Sequence, residues 1–193
     1  MVVRLSLIFF LLLTCWQAAG QEKRSSSFVH DQSLLKSPER FGDIEIAFPQ
    51  EFNPLPDSLR LALEKQSNQG GLDGFVYQIQ AIQRDSLGNA IALSHILDRR
   101  PDAEFAYLER YVPLASDGKK LEYSVRQLVI DPIVLREYRF IRSGYIVRQL
   151  FTHSPRNVYK VDFLVKGSWS RNMINTFESV VSSIRFVSTP HTP

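Results

Sequence analysis

From Val158 the chain alternates. Tyr159, Val161, Phe163 and Val165 fall on one side, and Lys160, Asp162, Leu164 and Lys166 on the other. This is the period-two pattern of a half-buried strand. After Gly167 the period lengthens. Met173, Ile174, Phe177, Val180, Val181 and Ile184 recur at helical spacing, with Arg171, Asn172, Glu178 and Ser182 mostly opposite. The chain therefore ends by laying an apolar helical stripe on a sheet, with a few extended residues to Val187.

The upstream residues supply that sheet. Asp43–Phe48 alternates as a first strand, stopped by Pro49. Asn53-Pro54-Leu55-Pro56-Asp57 opens a helix, because proline fits the first turn and an acid suits the positive helix end. The helix runs to about Ser67, with Leu55, Leu59, Ala62, Leu63 and Gln66 on one face, and Asn68-Gln69-Gly70-Gly71 ends it. Phe75–Gln83 predicts a strand with Phe75, Tyr77, Ile79 and Ala81 on a common side. A turn over 85–89 then joins it in a hairpin to a strand at Ala90–Leu97. Pro101–Val112 predicts a second helix, with Phe105, Leu108 and Val112 inward. Four strands follow at Glu122–Ile130, Ile133–Arg142, Tyr145–His153 and Val158–Lys166. Both faces of the later strands are partly apolar. Ile133, Leu135 and Ile141 oppose Val134, Tyr138 and Phe140, and Tyr145, Val147 and Phe151 oppose Ile146 and Leu150. A sheet wet on one side alternates more cleanly. The pattern thus predicts an α+β fold: a three-layer α/β/α sandwich on a mostly antiparallel sheet, in one domain over 42–187 with a tail at 188–193.

The N-terminus changes the setting. Arg4, the apolar run Leu5–Leu13 and Ala18-Ala19-Gly20 read as a secretory signal peptide over residues 1–20. The run is shorter than the roughly 20 residues needed to span a bilayer, and the mature chain contains no transmembrane helix. Cleavage before Gln21 leaves a polar, Ser-rich, flexible lead-in over 21–41. The alternative is a lipoprotein acylated at Cys15. That is the only cysteine, so cleavage after Gly20 leaves no disulfide, thiolate metal site or cysteine nucleophile. No Asn-x-Ser/Thr acceptor occurs, which suits a bacterial periplasm. With 23 basic and 20 acidic residues, nothing points to nucleic acid.

Candidate chemistry is sparse. His95 and His153, with Asp162, are the only histidine-centred candidates for acid–base or metal work, and no spacing brings them together. His30 and His191 lie in the terminal segments. Gly167-Ser168-Trp169-Ser170 lacks the second glycine of a nucleophile elbow, so Ser168 or Ser170 reads as a helix N-cap. Gly70, Gly71 and Gly74 form a turn and not a phosphate loop. Trp169 reads as a core anchor at the strand–helix corner. The arginines are more suggestive. Arg136, Arg139, Arg142 and Arg148, interleaved with Tyr138 and Tyr145, would make a surface for an anionic partner if they shared one sheet edge. The plainer reading is a solvated face paired with acids such as Glu137. Neither cofactor nor metal is expected.

Several segments together resemble the PsbP/Mog1-like superfamily. These are Ile44–Pro49 before the proline-rich helix start, Gly144-Tyr145 opening a strand, Tyr159–Val165 ahead of the last helix, and the ending Phe177–Phe186. The resemblance implies binding or assembly, not catalysis, and no partner motif of the family can be matched residue by residue. The expectation is an exported, non-enzymatic protein of the bacterial envelope that binds another envelope protein or an anionic partner. A small-ligand carrier with a pocket between sheet and helices is the alternative, and a hydrolase a third.

Overall fold

The computed structural model describes residues 28, 30–69, 76–97, 124–130, 132–142 and 144–187, and leaves aside the side chains of residues 124–126 and 142. The signal segment with Cys15, the helix expected over 101–112 and the tail at 188–193 lie outside them.

Among the described residues, ten strands form two antiparallel sheets. The small sheet joins β1 (Glu39–Phe41), β2 (Ile44–Ile46) and β10 (Arg185–Phe186), with β2 in the middle. The large sheet contains β3 (Asn53–Pro54), β4 (Tyr77–Arg84), β5 (Ala90–Ile96), β6 (Ser124–Ile130), β7 (Ile133–Arg142), β8 (Tyr145–His153) and β9 (Val158–Lys166). Its order is β3-β4-β5-β9-β8-β7-β6. Helix α1 (Asp57–Gln69) lies against β4, and helix α2 (Arg171–Ser183) closes the core. This is an α+β architecture, and β7, β8 and β9 have the bounds the alternation predicts.

Each face of the large sheet carries its own apolar cluster. The first gathers Ile91, Leu93, Leu135, Leu150, Val161 and Phe163 under Phe177, Val180, Val181 and Ile184 of α2, together with Ile44, Ile46 and Phe48 from the small sheet. The second contains Tyr77, Ile96, Tyr138, Phe140, Val147, Phe151 and Val158. The two-sided patterning of β7 and β8 has this cause. Ser170 caps α2, its hydroxyl accepting the Met173 N–H at 3.2 Å. Trp169 packs edge-on against Phe177, with centroids 5.7 Å apart, as a core anchor.

Three expectations need correction. The folded domain includes residues before position 42. A 3-10 turn at Gln32–Leu34 leads into buried Leu35, which bridges to Pro49, and β1 pairs with β2, so much of the lead-in belongs to the fold. Leu35 supplies the apolar burial that draws this polar segment in. In β4, Ala81 does not share a side with Tyr77 and Ile79. The register shifts between Ile79 and Ala81, and the extra residue returns Ile82 to the side of Tyr77 and turns Ala81 toward Leu93. Finally, the leucine face of α1 points outward. The inward stripe is Arg60, Glu64 and Asn68, while Leu59 and Leu61 are 52% exposed and Leu63 is 40% exposed.

Candidate functional site

Cross-strand register separates the expected arginine surface. Arg139 faces Arg148 across β7 and β8, whereas Arg136 faces Phe151 and Arg142 faces Tyr145. Alternation therefore puts Arg139 and Arg148 on the α2 side and Arg136 on the other, and the Arg142 side chain lies outside those described. Arg148 is buried, its Nε donating to the carboxylate of buried Glu137. Its guanidinium carbon lies 3.3 Å from the Phe177 ring centroid and 4.9 Å from that of Trp169. An arginine stacked and paired in this way is a core element. Tyr138 is buried edge-on against Phe151, and Tyr145 packs on the same cluster. Arg139 remains exposed and Arg136 half-buried. Arg136, Tyr138, Arg139, Tyr145 and Arg148 do not make one binding surface, because an odd spacing sets Arg136 and Arg139 on opposite faces and Arg148 and Tyr138 are buried.

The histidines are also separated. His95 lies opposite Tyr159 on the first face, whereas His153 lies opposite Val158 on the second. Asp162 shares that second face but pairs with Lys160, Nζ to Oδ2 at 2.9 Å, and Lys160 also sits 4.2 Å from the Tyr77 ring centroid. Among the described residues no group of three or more His, Cys, Asp or Glu side chains is placed to hold a metal.

The structure assembles a different polar corner. The β1–β2 turn presents Asp43, β9 presents Tyr159, and the β8–β9 turn presents Ser154 and Asn157. Asp43 Oδ1 accepts from the Tyr159 hydroxyl and, at 3.0 Å, from Asn157 Nδ2. Burial pushes the Asp43 carboxyl upward, but hydrogen bonds from Ser154, Tyr159 and Asn157 outweigh it and hold the pKa below the ordinary aspartate value. Burial raises the Tyr159 phenol, and Asp43 raises it further. His95 is tilted against Tyr159, with ring centroids 5.4 Å apart. Burial lowers its pKa, while Asn157 and the Asp43 charge oppose the shift. The tight approach depends on Gly42, at φ +67, where a Cβ would stand 3.1 Å from the Tyr159 hydroxyl. Sequence spacing gave no sign of this corner, which joins residues more than 100 positions apart.

Its chemistry is that of a clasp. The buried Ser154 Oγ accepts the Asn157 N–H at 2.9 Å and the Arg156 N–H at 3.2 Å. It is occupied in its turn and is not presented to His95 as a nucleophile. The clasp ties the small sheet to the large one, and within the small sheet the Val187 N–H donates to Asp43 O at 2.9 Å.

A cleft of about 330 Å³ opens between the 3-10 turn, the loop after β2 and the start of α2. Its lining is mixed, with Asp31, Gln50, Glu51 and Asn172 beside Leu34 and Pro49.

The fold is that of a PsbP-like α+β domain. It is similar to the solution structure of cyanobacterial PsbP (CyanoP) from Synechocystis, with a TM-score of 0.51 over 86% of this chain and 99% of that one, at 14% sequence identity. At that identity the likeness is one of fold. No family model matches the sequence, and no curated protein matches it.

Proposed function

We propose that the protein is an exported, non-enzymatic binding or assembly-support protein of the bacterial envelope, with an envelope protein as its partner. The observation that carries the reading is the orientation of α1. A helix that packs on a sheet ordinarily turns its apolar side inward. Here Leu59 and Leu63, one turn apart, share the outward side, while Arg60, Glu64 and Asn68 face the sheet. Val76 and Leu97, joined by the bond from Leu97 N to Val76 O at 2.9 Å, are also exposed at the end of the adjacent β4–β5 hairpin. Exposed large apolar side chains grouped on one element mark a contact surface more often than scattered ones do. The PsbP-like fold agrees with a binding role, and the N-terminal signal pattern supports export to the periplasm.

The test is chemical crosslinking in the native host followed by purification. The wild-type protein should bring down a defined envelope protein, and a Leu59→Glu/Leu63→Glu variant of unchanged thermal midpoint should lose it. Equal recovery by both proteins would remove α1 from the interaction. The mass and cell fraction of the mature protein test the export claim. A chain starting at Gln21 in the soluble periplasmic fraction is expected, and an acylated Cys15 in the membrane fraction would replace it with a lipoprotein.

A further inference from the structure

The outer edge of β4 is closed in two different ways. At Gln83 and Arg84 it pairs with β3, and Ile82 O accepts the Leu55 N–H at 2.9 Å. Past the bulge, side chains of α1 take over from backbone. Glu64 Oε2 accepts the Ile79 N–H at 2.7 Å, and Arg60 Nη1 donates to the Ile79 carbonyl at 2.6 Å. The Asn68 carboxamide accepts the Tyr77 N–H at 2.8 Å and donates to the Tyr77 carbonyl at 2.9 Å. Arg60, Glu64 and Asn68 stand four residues apart, so one stripe of the helix supplies the bonds that a strand would otherwise make. Helix α1 has no buried residue, so burial of apolar surface does not hold it down, although such burial is what fixes most helices in a fold.

We propose that α1 is a removable stand-in for a strand, and that the edge of β4 at Tyr77–Ile79 accepts an extended segment of a partner protein by β-strand addition. The incoming segment takes the N–H and carbonyl groups of Tyr77 and Ile79 that α1 now holds, and continues the line of β3. Tyr77 and Ile79 are buried on one face while Gln78 is exposed on the other. A segment alternating apolar and polar residues fits that edge. The proposal deepens the binding reading and rests on it for the existence of a partner, but the release of α1 is a property of the chain alone.

The test is amide hydrogen exchange on the mature chain, with a synthetic nine-residue peptide of alternating valine and threonine between terminal lysines as the probe. In the wild type the Tyr77 and Ile79 amides should exchange at least tenfold faster than those of Leu150 and Val161 at the sheet centre. In Glu64→Ala/Asn68→Ala the difference should widen at least tenfold more, with the centre unchanged. The peptide should bind this variant at least tenfold tighter than wild type and restore protection at both amides. If the double variant does not fold, Asn68→Ala alone reads the Tyr77 amide, because Asn68 is exposed. Exchange of both edge amides only together with the sheet centre would overturn the proposal. So would an absence of peptide binding, or binding that leaves both amides unprotected. A failure here beside a partner crosslinked through the α1 leucines would leave the binding reading standing. Strand capture without any such partner in the cell would do the reverse.

Discussion

Asp43 draws the Tyr159 hydroxyl, the Asn157 carboxamide and the Ser154 hydroxyl to one carboxylate. The consequence is a pH dependence of known sign. Because the folded-state pKa is depressed, the unfolded chain binds the proton more readily. The stabilisation is complete above about pH 4, the ordinary aspartate range, and is lost as pH falls through the folded value. Urea midpoints at pH 6 and pH 3 should therefore converge in Asp43→Asn relative to wild type, and an unchanged gap would remove Asp43 from the acid response. His95 is depressed as well, so its contribution is present above its ordinary value near 6.5 and is lost below it. Since the Asp43 charge raises the His95 pKa, Asp43→Asn should push the imidazole titration seen by NMR lower still. At Gly42 the positive φ and the Tyr159 hydroxyl both oppose a side chain. Gly42→Ala should cost about 1–2 kcal/mol in equilibrium denaturation. None of these contacts was legible beforehand, since a one-dimensional pattern records which face a residue takes and not which distant turn it meets.

Helix α2 shows what a pattern does record. Its stripe predicts burial of Phe177, Val181 and Ile184 on β9, and all three are 2% exposed or less. Phe177 stacks edge-on with Phe163 at 4.7 Å. Phe177→Ala should cost about 3–5 kcal/mol, and a loss under 1 kcal/mol would mean that α2 does not close the core. The buried Arg148–Glu137 pair beneath it makes a separate demand. Glu137→Leu alone strands a buried guanidinium and should cost about 3–5 kcal/mol, whereas Arg148→Met with Glu137→Leu should recover much of that loss. Two additive losses would show that the charges do not depend on each other. Helix α1 is the opposite case. Its leucines and its polar residues are both regularly spaced, and periodicity cannot say which stripe meets the sheet when the helix packs on a strand edge instead of an apolar face. The β4 bulge has the same character, because one extra residue reverses every side downstream and leaves no mark in composition.

At the scale of the whole molecule, a seven-stranded sheet with an apolar cluster on each face is clasped to a three-stranded one through Asp43, which meets Tyr159 and Asn157. The PsbP-like architecture was legible because it follows from strand alternation and the closing helix, which burial dictates. The arginine surface was not recoverable. A row of arginines in sequence becomes two faces in a sheet, and one of them, Arg148, goes into the core. What the fold leaves outward is the Leu59 and Leu63 side of α1, the surface proposed to meet a partner. The most direct measurement is site-specific photo-crosslinking in the native host, with a benzophenone side chain placed in turn at Leu59, Leu63 and, as a control on the opposite edge region, Arg139. One discrete adduct from Leu59 and Leu63, absent from Arg139, is the expected result. No adduct from α1, or the same adducts from all three positions, would contradict the account.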